Sequence, residues 1–221
     1  MEYRRLGTSQ LELPAITFGA WAAGGWMWGG VDRREAVRAI RAAYDEGVTA
    51  IDTAPIYGQG LSEEIVAEAI QGIPRDKVRL LTKFGFRWDV TKGEFGMHSQ
   101  DNAGRPIEVY RYAARESVIH ECEQSLRRLG TDHIDLLQHH SPDATTPVSE
   151  TMEALELLVQ QGKVRHVGVS NYNVEQLVEA RKHTTVVSNQ VPYSMVKRTI
   201  EESTIPYVLE HGLGILAYSP L

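Results

Sequence analysis

The chain has 221 residues, 42% of them hydrophobic and 24% charged. This is the composition of a folded globular protein, and the length suffices to bury a sizeable core in one domain. A net charge of −6 with no basic run argues against a nucleic-acid partner. One cysteine, Cys122, excludes an internal disulfide framework and suits a reducing compartment, so the cytoplasm is the expected location. The start, MEYRRLGTSQ, lacks the apolar centre of a signal peptide, and no apolar run approaches membrane-spanning length, so no membrane association is expected.

Residues 3–15 read as an N-terminal hairpin turning at Gly7, Thr8 and Ser9, followed by a strand over Ile16–Gly19. The next stretch, GAWAAGGWMWGG, is dense in glycine and tryptophan. Glycine lets backbone approach a ligand closely, and tryptophan supplies flat apolar wall with one donor. Trp21, Trp26 and Trp28 are therefore expected at a pocket rim. Asp32–Glu46 has the apolar spacing of a helix, with Ala36, Val37, Ile40, Ala43 and Tyr44 on one face. Val48–Ile51 reads as a strand that breaks at Asp52, and Pro55 and Gly58 force a loop carrying Tyr57. A helix over Ser62–Gln71 follows, then a strand over Lys77–Thr82 with Lys83 at its end.

Residues 84–106 are expected to form a long loop, in which Trp88, Phe95, Met97 and His98 line or cover a pocket. Ile107–Leu129 reads as a helix closed by Gly130, placing Cys122 on an apolar face as an inert thiol. Strands are then expected at His133–Gln138, Val164–Val169, Thr185–Ser188 and Gly214–Ala217, with helices over Pro147–Gln161, Asn173–Lys182 and Ile200–His211. Asp135, in mid-strand, calls for a structural salt bridge.

Strand and helix alternate at intervals of roughly thirty residues, the length of a βαβ unit. The class is α/β, and a parallel sheet of this kind is either doubly wound or a closed barrel. No G-x-G-x-x-G follows the first strand, and polar or aromatic residues stand at nearly every strand end. An open sheet gathers ligand contacts at one switch point, whereas a barrel recruits many strand ends. The pattern predicts a (β/α)8 TIM-type barrel, lacking its eighth strand and C-terminal helices.

Asp52, Tyr57, Lys83 and His140 then share one rim. Together they have the parts for protonating a carbonyl oxygen. A phenol ordinarily titrates near ~10, and a neighbouring cation lowers that value. Lys83 can be that cation, kept charged by Asp52, while His140 orients the carbonyl and Tyr57 acts as general acid. Hydride must come from a nicotinamide cofactor, because no side chain carries one. His139 and His140 are adjacent, so only one can face the centre, and a metal site is not expected.

These residues sit in stretches that resemble the aldo-keto reductases. DTAPIYGQGLSEE is similar to the family signature around its catalytic aspartate and tyrosine, here Asp52 and Tyr57. LLTKFG is similar to its lysine strand, IDLLQHHSPD to its histidine segment and GKVRHVGVSNY to a third signature. The H-x-P alignment selects His140 over His139. The resemblance implies that Ser170, Asn171 and Gln190 hold the nicotinamide carboxamide and that Tyr218 stacks on its ring. It places Gly19, Ala20 and Trp21 beside the nicotinamide, and adds Asp52, Ser219 and Leu221 to the cofactor contacts. Trp21, Trp26, Trp28 and Trp88 become the expected substrate pocket. The glycine–tryptophan loop and the ending SPL look closest to the bacterial and channel-β-subunit-like branch. The implied activity is NADP(H)-dependent reduction of an aldehyde or ketone, with NAD(H) not excluded.

The resemblance also implies an eighth strand and a segment gripping the adenosine 2′-phosphate, neither of which this sequence contains. A fragment of a longer chain is the favoured explanation. A nicotinamide-binding regulatory module is the alternative function, and Schiff-base chemistry on Lys83 a third.

Overall fold

The computed structural model describes residues 1–220. Strands β1 (Tyr3–Arg5) and β2 (Glu12–Pro14) form an antiparallel hairpin. The main sheet then builds from β3 (Phe18–Gly19), β4 (Ala50–Asp52), β5 (Arg79–Phe84), β9 (Ile134–His139), β10 (Val164–Ser170), β11 (Val186–Pro192) and β12 (Gly214–Tyr218). Each strand of this sheet pairs in parallel with the one before it. The order never reverses, so the sheet curls in one direction as seven of the eight strands of a (β/α)8 barrel.

Helices α1 (Arg33–Asp45), α2 (Leu61–Ala69), α3 (Arg115–Leu129), α4 (Val148–Gln160), α5 (Val174–Ala180) and α6 (Thr204–Glu210) follow successive strands of this sheet. Local chemistry starts and stops them. The Asp32 carboxylate accepts the backbone N–H groups of Arg34 and Glu35, two of the donors that the first turn of α1 leaves free. Gly130 ends α3 in a left-handed conformation, φ +63°, which a side chain would disfavour. Among the described residues, no helix is long and apolar enough to cross a membrane.

The strands have two differently used faces. Ile51, Leu80 and Leu137 point outward, into a core shared with Ile65, Val118, Cys122 and Leu155 of the helices. Ala50, Leu81 and Leu136 point inward, where Leu6, Leu11 and Leu13 of the N-terminal hairpin region meet them. The hairpin thus plugs the lower end of the barrel. Asp52, Lys83, Gln138 and His140 lie further along the same inner faces, towards the C-terminal strand ends, because side chains repeat every second residue. Cys122 is buried on α3 and its thiol is pushed up to about 12, so it carries no thiolate at neutral pH. Asp135 accepts from the Arg75 guanidinium at 2.6 Å and from the Leu80 backbone at 2.9 Å, the structural ion pair that its mid-strand position calls for.

Three expected elements differ. Residues 84–106 are not a loop, and the helix expected from Ile107 begins only at Arg115. Between β5 and α3 lie β6 (Phe86–Arg87), β7 (Glu94–Gln100) and β8 (Pro106–Arg111), an antiparallel sheet in the order β6-β8-β7. Ile107, Val109 and Tyr110 satisfy helical spacing, but Val109 pairs with Met97 and Tyr110 with Phe95, and β-branched and aromatic pairs favour the strand. The helix expected over Ile200–His211 is also divided, into a 3-10 turn at Thr199–Glu201 and α6. Pro206 supplies the reason, since its ring would clash with the carbonyl four residues earlier in a continuous helix.

Behind the end of β5, Glu121 of α3 accepts the Gly85 backbone N–H, at 3.0 and 3.2 Å to its two oxygens, and the Ser117 hydroxyl at 3.0 Å. Burial pushes this carboxyl up to about 8, against the pull of Arg87 and of those hydrogen bonds. The folded chain therefore holds the proton to higher pH than the unfolded chain. The resulting stabilisation is complete below the ordinary carboxylate range and is lost as pH rises through about 8. Glu121→Gln should gain in melting temperature relative to wild type as pH is raised from about 5 to about 9, and a gap independent of pH would contradict this. Leu136→Ala, which empties the interior where hairpin and strands meet, should cost about 2–5 kcal/mol in urea unfolding.

Candidate active site

The inner face of β5 buries Lys83, which is only 1% exposed. Its ammonium donates to one oxygen of the Asp52 carboxylate, and to the Thr53 carbonyl at 3.0 Å. The other Asp52 oxygen accepts the side-chain amides of Gln138 at 3.0 Å and Gln190 at 2.9 Å. Four strands thus contribute to one polar cluster, since these residues stand on β4, β5, β9 and β11. Burial alone would drive the proton off Lys83. The Asp52 charge and the Tyr57 phenol outweigh it, and the lysine is held protonated above its ordinary range.

Tyr57 stands on the loop after β4, with the Lys83 ammonium 5.1 Å from its ring centroid. The sequence predicts a phenol made more acidic by this neighbour. The net direction is the opposite. Burial raises the Tyr57 value, Lys83 pulls it down, and Asp52 pushes it up again. The lysine does lower the phenol's proton affinity, but from a starting point that desolvation has already raised. Tyr57 is therefore protonated at neutral pH.

His140 follows β9, its backbone N–H bonded to the Phe84 carbonyl at 3.0 Å. Its ring stands edge-on to Tyr57 with centroids 5.8 Å apart, and Phe86 packs on it at 4.5 Å. Burial, then the Lys83 charge, then His139 keep it well below the ordinary histidine range, so it is neutral. His139 points the other way, as adjacent strand residues must. It stacks on Phe84 at 5.0 Å, and its Nδ1 shares a 2.8 Å hydrogen bond with the Tyr172 hydroxyl.

The four tryptophans separate. Trp21 stacks on Tyr57, centroids 5.9 Å apart and planes 22° apart. Trp28 is exposed and meets Trp21 edge-on at 5.9 Å. Trp26 is buried with Ala54, Ile56 and Val109, and its indole N–H donates to the Ser99 hydroxyl at 3.0 Å. Trp88 packs against that same cluster. Trp26 is thus a packing residue whose single donor is already engaged, and Trp21 is the tryptophan in contact with the tyrosine. Gly19 pairs with Asp52 across β3 and β4, and Ala20 donates its N–H to the Asp52 carbonyl at 2.8 Å.

At the far side of the rim, Ser170 donates its hydroxyl to the Gln190 carbonyl at 2.8 Å. Asn171, at φ +61°, donates its amide to the His140 carbonyl and to Ser170 Oγ, each at 3.1 Å. The Tyr218 hydroxyl donates to the Asn171 amide oxygen at 2.9 Å, and Ser219 is exposed at φ +48°. Leu221 lies outside the described residues. A carboxamide needs both donors and acceptors, the two kinds of group that Ser170, Asn171 and Gln190 carry, with their N–H and O–H groups here engaged with one another and with Asp52, Gln138 and His140. Tyr218 keeps 37% of its surface exposed, enough to offer an aromatic face. The chemistry of these groups fits a nicotinamide.

Sequence reasoning missed Gln138. It is fully buried and bonds Asp52 beside Gln190, whose amide approaches it at 3.4 Å. The signal was present, because a glutamine ends the apolar run HIDLLQ two residues before His140, on the same face.

Comparisons with known proteins place the chain among relatives of known family. The Aldo/keto reductase family model matches residues 15–221. The aldo-keto reductase YhdN of Bacillus subtilis is 40% identical over all of this chain, and the NADH-specific methylglyoxal reductase of Escherichia coli is 34% identical over 98% of it. A glycerol dehydrogenase from Gluconobacter oxydans superposes with a TM-score of 0.85 at 40% identity, over 98% of this chain and 62% of that one. An aldo/keto reductase from Klebsiella pneumoniae in complex with NADP and acetate superposes with a TM-score of 0.75 at 34% identity, over 98% of this chain and 67% of that one. The chain spans 62% of the length of the Bacillus protein and 66% of that of the Escherichia coli enzyme. By sequence and by fold, the chain belongs to the aldo/keto reductase family.

Proposed function

We propose that this protein reduces aldehydes or ketones to alcohols with NADP(H). The observation that carries the reading is the buried Lys83 ammonium, held between the Asp52 carboxylate and the Tyr57 phenol with the neutral His140 facing the same tyrosine. A bound nicotinamide would supply hydride to the carbonyl carbon. Tyr57 gives its proton to the carbonyl oxygen as that hydride arrives. Lys83 stabilises the phenolate left behind, and in this dry setting its charge counts for more than in water. Asp52 keeps Lys83 charged, while Gln138 and Gln190 fix the carboxylate. His140, being neutral, keeps one ring N–H with which to orient the carbonyl oxygen.

Ser170, Asn171 and Gln190 would hold the carboxamide and Tyr218 the ring face, with Gly19, Ala20 and Trp21 lining the opposite edge. NADP(H) is assigned because the similar Klebsiella pneumoniae structure holds NADP. The Escherichia coli relative named as NADH-specific keeps NAD(H) open as the alternative. Trp21 and Trp28 offer an apolar wall for a small carbonyl compound. Within the family, the likeness to the Bacillus subtilis protein supports the bacterial part of the branch assignment, and nothing in the relatives named above supports its channel-β-subunit-like part.

Tyr57→Phe should lose roughly 10²–10⁴-fold in kcat while still quenching its tryptophan fluorescence with NADPH, and a variant at the wild-type rate would overturn the role of Tyr57. Lys83→Met removes the one charge that lowers the Tyr57 value. It should move tyrosinate formation at Tyr57 to still higher pH and depress kcat with little change in cofactor affinity. Ultraviolet pH titration and steady-state kinetics would measure the two effects.

A further inference from the structure

Tyr57 stands on a loop, so the sheet alone does not fix it. Two glycines bring a second loop into direct backbone contact with it. A Cβ on Gly24 would lie 2.3 Å from the Tyr57 carbonyl oxygen and 3.0 Å from the Tyr57 Cβ. A Cβ on Gly58, at φ +73°, would lie 2.1 Å from the Gly24 carbonyl oxygen. No side chain fits at either position, so the Gly24 and Tyr57–Gly58 backbones lie in direct contact. Gly24 in turn donates its N–H to the Trp21 carbonyl at 3.0 Å, and Trp21 is the residue stacked on the Tyr57 ring.

The Gly24 carbonyl accepts one side-chain hydrogen bond, from the Asn102 amide at 2.7 Å. That amide nitrogen is also 3.0 Å from the Cβ position of Gly58, so it occupies the notch between the two loops. Asn102 sits at the tip of the β7–β8 hairpin. The tip is braced by Asp101, whose carboxylate accepts the Ala103 and Arg105 backbone N–H groups at 2.9 Å each and the Arg105 guanidinium at 2.7 Å. A second strap, the Trp26–Ser99 bond, joins the same hairpin to the glycine–tryptophan loop further along.

We propose that Asn102 is a positioning residue for Tyr57, acting through the Gly24 carbonyl and Trp21 to hold the phenol at the proton-transfer geometry. The inference rests on the reductase reading of the site. It gives the inserted hairpin a part in the reaction, although none of its side chains belongs to the Asp52–Lys83 cluster. Asn102 is an exposed residue, so its substitution should leave the fold in place while freeing the two loops to shift. Displacements of an ångström at a reacting group cost up to about a hundredfold in rate.

The test compares Asn102→Ala and Asn102→Asp with Ser99→Ala, which cuts only the second strap. Each is made in the wild-type background and again with 3-fluorotyrosine at position 57. Both Asn102 variants should lower kcat about ten- to a hundredfold, with the NADPH dissociation constant and the unfolding midpoint close to wild type. Aspartate keeps the shape but brings no donor to the carbonyl, so it should rescue nothing. The fluorine resonance of Tyr57 should move in both Asn102 variants and stay in place in Ser99→Ala. An unmoved resonance in the Asn102 variants overturns the proposal whatever the activity, as does a kcat within about twofold of an active wild type. If the wild-type protein reduces no carbonyl compound, the reductase reading falls, and the fluorine resonance alone decides whether Asn102 positions Tyr57.

Discussion

A lysine inside a barrel cannot be charged by itself. Moving an ammonium out of water costs several kcal/mol even after relaxation, and the group otherwise gives up its proton. Lys83 keeps its proton because the Asp52 carboxylate is in contact with it and the Thr53 carbonyl takes a second N–H. The carboxylate is itself half-satisfied by Lys83, and Gln138 and Gln190 complete it. This cluster joins β4, β5, β9 and β11. Any shift in strand register would leave a buried charge without its partner, so the ion pair and the strand pairing depend on each other.

The same pair organises the electrostatics around it. Tyr57 feels desolvation, a cation and an anion at once, and the balance leaves it protonated. His140 feels desolvation and the same cation, and the balance leaves it neutral. A protonated phenol and a neutral imidazole are the two forms able to offer a proton and a hydrogen bond to an oxygen. Burial sets both states; the lysine reinforces the neutral imidazole and opposes the protonated phenol. Its pull on the tyrosine would matter most if the phenol lost its proton, because a lone anion is the species that a buried site tolerates least.

Below this polar layer the barrel is ordinary. Leu81 and Leu136 point inward beneath Lys83 and Gln138, and the leucines of the N-terminal hairpin region close the interior. The apolar layer keeps water out from one side, and the aromatic residues Trp21, Phe86 and His140 crowd the other. The inserted sheet of β6, β7 and β8 packs Val109 and Met97 against Trp26 and Ile56, which ties the glycine–tryptophan loop to the loop carrying Tyr57. The charged cluster is thus bordered on these two sides by elements that contribute little to it.

The sequence alone determined the alternation of strand and helix, the barrel rather than the doubly wound sheet, and the strand-end positions of Asp52, Lys83 and His140. These follow from local rules, since short apolar runs bounded by turn residues read as buried strands and the polar residue after each run marks its end. The inert Cys122 and the paired Asp135 were legible for the same reason. Only the tertiary structure decided the rest. Ile107 and Val109 carry spacing that suits a helix or a strand, and the partner β7 resolved the ambiguity. Gln138 became part of the site because Asp52, 86 positions earlier, needed a donor that its own neighbours could not supply. The raised Tyr57 value depends on how much water the packed loops exclude, a property of the folded volume that no stretch of sequence contains by itself.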